Sequence, residues 1–524
     1  MSIYRVIVCL LIVLFLCAVP ARAQNTYASI TGTVTDQNGA IVAGATITAA
    51  NIDTGFKRTA VSDARGDYLL VQLPIGNYRL TAELTGFRTE ARTGIVLQVD
   101  QRARADFKLQ IGATTETVQV TASAPLVQSE TSAVGQVVNN TQVIELPLNG
   151  RNFNQLPLIV VGAQPAPAVG TVASGFSTGG ARGNMNNYLL DGVDNQEPGV
   201  ITVSFSPSVE MIQEFKLDQN AYSAELGRYS GGQINVSTKS GTNRFHGSLF
   251  EFVRNDKLDA KNFFDSPTTP KPALKRNQFG LSVGGPIIKD KTFFFFVWES
   301  TRLRQALTGR AAVPTEAFLR GDFSALLVQG NPYSSAVQGR PIQLVHPTTR
   351  VPFANNQIPA NTFDPVGVKM AAIYPKPNLS QAGSTVNFLS NPVLVNDPDQ
   401  ISIRGDHRFS GRDSVLVRFS RNTSFASDPF ASPGNQTVIP GYAQLTDGER
   451  INGVVAYTRV INASIVNELR LGYTKLFNDI RPTDPTTNAA AALGITSLDP
   501  AAYLPRYSGT PTINVSGFGG IGYP

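Results

Sequence analysis

Cysteine and histidine are almost missing from this chain of 524 residues. Cys9 and Cys17 both lie before Pro20, and His246, His346 and His407 are the only histidines. The remainder therefore has no disulfide framework and no thiolate metal site. None of the three histidines has a glutamate at metal-ligand spacing, which argues against a zinc hydrolase. Charge is sparse as well, at 16% of residues with a net +6. Lys and Arg are scattered and form no run, so the surface is mildly basic without a nucleic-acid footprint. Long apolar runs are missing too. Beyond the N-terminus none approaches the roughly 20 residues of a membrane helix, and Phe293–Trp298 is far too short. A β-barrel is the remaining way to cross a membrane.

What is abundant is Gly (46) and Pro (33), with many Thr, Val and Asn. That composition suits short strands joined by loops, and the length leaves room for three or more domains. The N-terminus reads as a secretory leader. Arg5 gives the positive region, Val6–Val19 the apolar one, and Ala21-Arg22-Ala23 precedes an expected cleavage before Gln24. A lipoprotein reading through Cys17 is weaker, because Leu16 stands where a small residue belongs.

Alternation then sets in. Ile30–Val34, Ala45–Ala49, Gly66–Leu70, Gly76–Ala82 and Ala105–Leu109 each alternate at period two. Turn pairs such as Asn38-Gly39 and Pro74–Gly76 separate them, which predicts a small β-sandwich. Further on, Asp191-Gly192 after two leucines reads as a hairpin turn. Gly231-Gly232 frees the backbone for a close approach before a short strand, Gln233–Thr238. Glu225 and Arg228 either bridge this region to the strands beyond Gly241 or form an exposed pair that contributes little.

From Gly241 onward the chain repeats a strand, a short turn, a strand and a long loop. Candidate strands are 244–254, 277–287, 292–302, 400–409, 414–421, 451–460 and 465–475. In the last, Ile465, Leu469, Leu471 and Tyr473 face one side, and Glu468, Arg470 and Thr474 the other. Apolar outside and polar inside is the pattern of an outer-membrane barrel wall. Lys289–Lys291, Ser410–Asp413 and Ile461–Ser464 would be short periplasmic turns. The long connections 255–276, 303–399 and 422–450 would face outward. Eleven prolines in 303–399 are too many for sheet.

Several stretches carry a family resemblance. Gly231-Gly-Gln-Ile-Asn-Val-Ser-Thr-Lys239, with Ser-Gly-Thr-Asn243 and the aromatic strand after it, resembles the plug-to-barrel junction of TonB-dependent outer-membrane transporters. More narrowly it resembles the Oar-like branch. Leu146–Phe153, Arg182-Gly183 with Leu189-Leu-Asp191-Gly192-Val193, and the loop segments Val313–Ser324 and Ile358–Asn378 are similar to parts of the same family. Residues 27–110 resemble a carboxypeptidase regulatory-like domain, in Asp63-x-x-Gly66-x-Tyr68, Leu73-Pro-x-Gly76-x-Tyr78 and Gly86-Phe87. Glu116-Thr117-Val118-Gln119-Val120-Thr121-Ala122 resembles a TonB box, which a coupling partner captures by strand addition. Its alternating β-branched residues suit that role. A linker or a last sandwich strand is the plainer alternative.

The resemblance implies a mainly β chain with an N-terminal β-sandwich, a small α+β plug and an incomplete transmembrane antiparallel barrel. The expected division is 1–23 leader, 24–112 sandwich, 113–122 coupling linker, 123–241 plug and 242–524 wall. Implied partners are a TonB-type energy-coupling protein, outer-membrane lipid and an unknown extracellular substrate. The sandwich would be periplasmic and the long loops extracellular. No catalytic residue, metal, cofactor or nucleic acid is implied. Two other readings remain open: an adhesin or structural barrel that never transports, and a periplasmic sugar-binding module using the sandwich.

Two motifs are set aside. Gly175-Phe-Ser177-Thr-Gly179 matches a hydrolase elbow but lacks the strand before it and the helix after it. Gly517–Gly522 matches a dinucleotide fingerprint by spacing, with no room for a helix behind it. Finally, transporters of this class close about 22 strands, and far fewer are legible here. The chain is therefore expected to be incomplete and to fold as an open, curved sheet partly wrapping the plug.

Overall fold

The computed structural model describes residues 27–522 except 114–116, 122–132, 167–174, 198, 200–201, 223–225, 262–270, 334–339, 381–383, 431–438, 463–464, 484–488, 496–509, 511 and 516. Ala23, Gln24, Glu116, Ala122 and Glu225 lie outside the described residues, as does part of the Ile461–Ser464 turn.

The sandwich contains β1 (Ala28–Asp36), β2 (Thr46–Asn51), β3 (Lys57–Val61), β4 (Asp67–Leu73), β5 (Gly76–Glu83), β6 (Thr89–Leu97), β7 (Arg102–Arg104), β8 (Phe107–Leu109) and β9 (Thr117–Thr121). One sheet runs β4-β1-β7, with β8 also on β1, and the other runs β3-β2-β5-β6-β9. The alternation dictates the core. Ile30, Val34, Ile47, Tyr78, Leu80 and Phe107 all turn inward and are buried together, each contributing about 1.5–3 kcal/mol. Three strands escaped the pattern, β3, β6 and the three-residue β7. In β3 only Ala60 is buried. In β6 a register shift opposite Tyr78–Leu80 breaks the period of two.

The middle unit occupies the stretch expected to be the plug, and takes that name. Its sheet orders β10 (Val134–Asn139), β17 (Ile212–Asn220), β18 (Gln233–Thr238), β13 (Asn187–Leu190) and β14 (Val193–Asp194). Two small hairpins flank it: β11 (Gln164–Pro165) with β12 (Phe176–Ser177), and β15 (Gln196–Glu197) with β16 (Thr202–Val203). Asn139 caps the helix Asn140–Glu145 in a reciprocal capping box with Gln142. The close approach expected at the glycine pair is real. A Cβ on Gly231 would stand 2.6 Å from the Met185 carbonyl oxygen, and the Gly232 N–H donates to Asn186 Oδ1 at 2.9 Å.

All seven expected wall strands form. They are β19 (His246–Asn255), β20 (Leu274–Ile288), β21 (Thr292–Ala306), β24 (Val393–Arg408), β25 (Asp413–Asp428), β26 (Gln444–Asn462) and β27 (Ile465–Pro482). They pair in that order, each antiparallel to the next. β19 and β27 remain edges among the described residues, so the sheet is open rather than a closed barrel. In β20, Gln278, Gly280 and Ser282 face in, while Phe279, Leu281 and Val283 are half-exposed.

The wall departs from expectation in two places. β21 is apolar on both sides, because Phe295 and Val297 complete the plug core from the wall. The strands also run further outward than the alternation does. There apolar and polar residues mix on the faces, and cross-strand ion pairs such as Arg304–Asp397 (2.6 Å) and Lys475–Glu449 (2.6 Å) join neighbouring strands. The proline-rich connection is not free of sheet either. β22 (Gly309–Ala311) pairs with β23 (Phe388–Ser390), and β24 passes through Pro398. The β21–β24 ladder has no pairs between Ser300↔Asp399 and Leu303↔Asn396, where proline offers no N–H.

Candidate functional site

The plug meets the wall at the Asp191 turn. Asp191 (φ +49) and Gly192 (φ +72) link β13 to β14 as the expected two-residue hairpin. The turn delivers the Asp191 carboxylate to the wall, where Arg418 Nε donates to Oδ2 at 2.6 Å. The Thr238 N–H and hydroxyl donate to the same carboxylate at 2.9 and 2.8 Å, and Arg404 lies 3.6 Å away. Arg418 is wholly buried and also donates to Ser420 Oγ (2.9 Å) and Asn452 Oδ1 (2.6 Å). Arg404 spans the gap by donating to the Thr238 carbonyl at 2.7 Å and to Asp406 at 2.8 and 2.9 Å. Burial alone would raise the Asp191 carboxyl. Arg418, Arg404 and the Thr238 bonds more than offset it and hold it below the usual carboxylate range.

A second anchor lies at the Leu146–Phe153 stretch. The Arg151 guanidinium pairs with Glu210 at 2.7 Å. It also stacks over Phe252 and Phe250 of β19, at 4.4 and 5.1 Å from the ring centres. The neighbouring Gly150 carbonyl accepts from Arg276 of β20 at 2.8 Å.

The sandwich meets the wall at its short turns. Arg58 donates to the Gly411 carbonyl at 3.0 Å, Arg408 to the Thr54 carbonyl at 3.2 Å, and the Asn243 N–H to the Asp53 carbonyl at 3.0 Å. Toward the plug, the Val99 N–H donates to Glu214, and Lys216 Nζ donates to Asp100 at 3.0 Å. Burial pushes the Glu214 carboxyl up to about 7, only partly opposed by the Val99 bond. Where the three units meet, a cavity of about 200 Å³ is lined by Tyr27, Arg58, Asp191, Thr238, Arg404 and Arg408 among others.

The sequence-predicted residues fare unevenly. Gly183 is buried, while Arg182 is exposed at the head of the turn Gly183–Met185, with no ion pair to the wall among the described residues. Arg228 does not bridge to the wall. It pairs with Asp194 inside the plug at 2.5 Å, because β14 brings Asp194 beside it. Residues 117–121 form β9, parallel to β6 at the outer edge of the sandwich sheet, with Val118 half-buried and Gln119 exposed. The segment is thus partly docked rather than loose. Arg151, Glu210, Arg404 and Arg418 were not singled out from sequence. A signal existed for Arg418, which alternates with the outward Val417 and Phe419.

The chain was compared with known proteins. A family model for a carboxypeptidase regulatory-like domain matches residues 29–110. The TonB-dependent transporter Oar of Myxococcus xanthus is 31% identical over 290 residues, covering 52% of this chain and 26% of that protein. The chain thus spans about a quarter of that relative's length. Among solved structures, the outer membrane transporter YddB from Escherichia coli aligns with a TM-score of 0.41 and 11% identity, over 67% of this chain and 40% of that one. The siderophore receptor PirA from Acinetobacter baumannii gives 0.33 and 14%, over 66% and 44%. A model for the outer membrane beta barrel domain matches residues 237–524, from the end of β18 through the wall and everything after it. More than half of the chain is covered by that match, and it therefore belongs to the outer-membrane β-barrel family, as an outer-membrane homologue of the Oar transporter.

Proposed function

We propose that the chain is the plug-bearing part of a TonB-dependent receptor or transporter. Substrate binds among the outer loops and the plug apex, and an energised partner then displaces the plug to open a path. The observation that carries this reading is the character of the plug–wall seam. Apart from Phe295 and Val297 in the plug core, the small Val193–Val454–Ala456 cluster and the stacking of Arg151 on Phe250 and Phe252, the contacts across the seam are hydrogen bonds and ion pairs at single points. Bonds of this kind, to charged groups, are worth about 1.5–3 kcal/mol net each, and because they are separate points a pull can part them in sequence rather than rupture one continuous apolar core. The Oar relative is a TonB-dependent transporter by name, which supports an energy-coupling partner of the TonB type.

Residues 116–122 are the handle in this reading, 117–121 of them forming β9, and no bond-making chemistry enters it. The handle is tested by deleting them in the full gene. A coupled transporter loses uptake despite normal surface levels. An adhesin or structural barrel keeps its activity, and that result would end the proposal.

A further inference from the structure

The sandwich does more than precede the plug, because it covers the mouth on the side of the short turns. Its β2–β3 hairpin reaches the wall through Thr54 and Arg58. Phe56 lies beneath the Arg408 guanidinium, 5.0 Å from the ring centre. Its β6–β7 turn reaches the plug through Val99 and Asp100. One sheet carries both ends of this arrangement. Its β3 edge lies against the wall turns, and its other edge is β9, the proposed handle.

Chain length then decides which unit feels a pull first. Gly112 is still fixed to the sandwich, its N–H donating to the Gly86 carbonyl at 3.1 Å. Four residues separate Gly112 from Thr117, and twelve separate Thr121 from Val134, where the plug begins. Fully extended, these connections reach about 17 Å and about 45 Å. Once β9 is peeled from β6, the sandwich connection is the shorter and tightens first.

We propose that the sandwich is a second closure on the periplasmic mouth, and that a pull on Thr117–Thr121 detaches it before the plug moves. This rests on reading 117–121 as the coupling handle. Transport on this scheme opens two barriers in a fixed order, the sandwich from the wall turns and then the plug from the Asp191 seam. Holding the first shut holds the second shut as well.

A disulfide can hold it. A Cβ built on Gly55 lies 3.5 Å from Asp290 Cβ, at the short end of disulfide range, and no cysteine follows Cys17. The full chain carrying Gly55→Cys and Asp290→Cys, in membrane, is pulled by single-molecule force spectroscopy. One pull goes through the bound periplasmic domain of the coupling protein, and another through a click-reactive side chain placed at Gln119. The expected record has a first extension event that disappears when the pair is oxidised and returns with reductant. Asp100→Lys, which sets a like charge against Lys216, lowers the force of that event without needing a cysteine. An unchanged first event in both variants would overturn the proposal. So would failure of the pair to oxidise in chains that assemble at normal levels. If the partner's domain fails to engage but the pull at residue 119 shows the same order, the handle reading falls while the two-step release stands.

Discussion

Glu214 makes the sandwich–plug contact pH-dependent, and the sign follows from its surroundings. The carboxyl lies on β17 opposite Asn139 of β10 and Ser237 of β18, and accepts from the Val99 N–H of the sandwich. The nearby charges are Lys216, Asp218 and Asp100, which pair with one another. Burial raises its pKa from 4.5 to about 7, so the docked state favours the protonated form. Its contribution is complete below about pH 4.5 and is lost as pH rises through 7. A shift of that size corresponds to about 3 kcal/mol at most. If undocking fully hydrates the group, the undocking constant should rise on the order of 40-fold between pH 5 and pH 7. Hydrogen exchange at the Val99 amide, measured against Glu214→Gln at each pH to cancel intrinsic exchange, reads this directly. The ratio should climb with pH as the wild-type seam loosens. A flat ratio, or a Glu214→Gln chain with the same pH response, would refute the reasoning.

Other expectations are separate. Arg418→Met leaves Asp191 charged and buried, and should destabilise the plug by roughly 3–5 kcal/mol in urea titrations; adding Asp191→Asn should recover part of that loss. Because the Asp191 carboxyl sits below its ordinary range, its contribution is present above about pH 4 and fades as pH falls through the lower native value, visible as acid-induced plug proteolysis. Gly472→Ala would set a Cβ 2.2 Å from Val193 Cγ1 and should cost roughly 1–3 kcal/mol of plug protection, whereas Gly411→Ala meets nothing within 4 Å and should be neutral. N-terminal sequencing of exported protein should begin at Gln24; a start elsewhere removes the leader reading.

The wall was legible because lipid and lumen impose a strict period of two. Leu469, Leu471 and Tyr473 are exposed on one face of β27 while Glu468 and Arg470 turn inward, as their alternation requires. The period marks only the stretch that lipid touches. Beyond it, residues such as Asn422-Thr423-Ser424 remain in strand through their ladder with β24 and β26, and a polar strand of that kind has no signature of its own. β3 was missed for a related reason: an edge strand with one buried residue has little periodicity to show. Pro398 misled in the opposite direction, since a strand can lose one ladder bond and continue on its other side.

The seam was half legible, and the two halves differ in kind. Asp191-Gly192 announces itself because a tight hairpin demands φ above zero at both positions, a local requirement written in two adjacent residues. Its partners obey no local rule. Arg404 and Arg418 are separated from Asp191 by more than two hundred residues, and what places them is the register of β24 on β25, where Arg404 faces Arg418 across the ladder. A charged residue at an inward position of a wall strand is compatible with open water, so sequence alone gives no reason to pair it. The plug supplies that reason by excluding the water. Once Arg418 is wholly buried, an unpaired guanidinium would cost several kcal/mol, and the Asp191 carboxylate at 2.6 Å is the group that meets it. The hairpin thus fixes where the plug's charge points, and the wall's register fixes what it finds there.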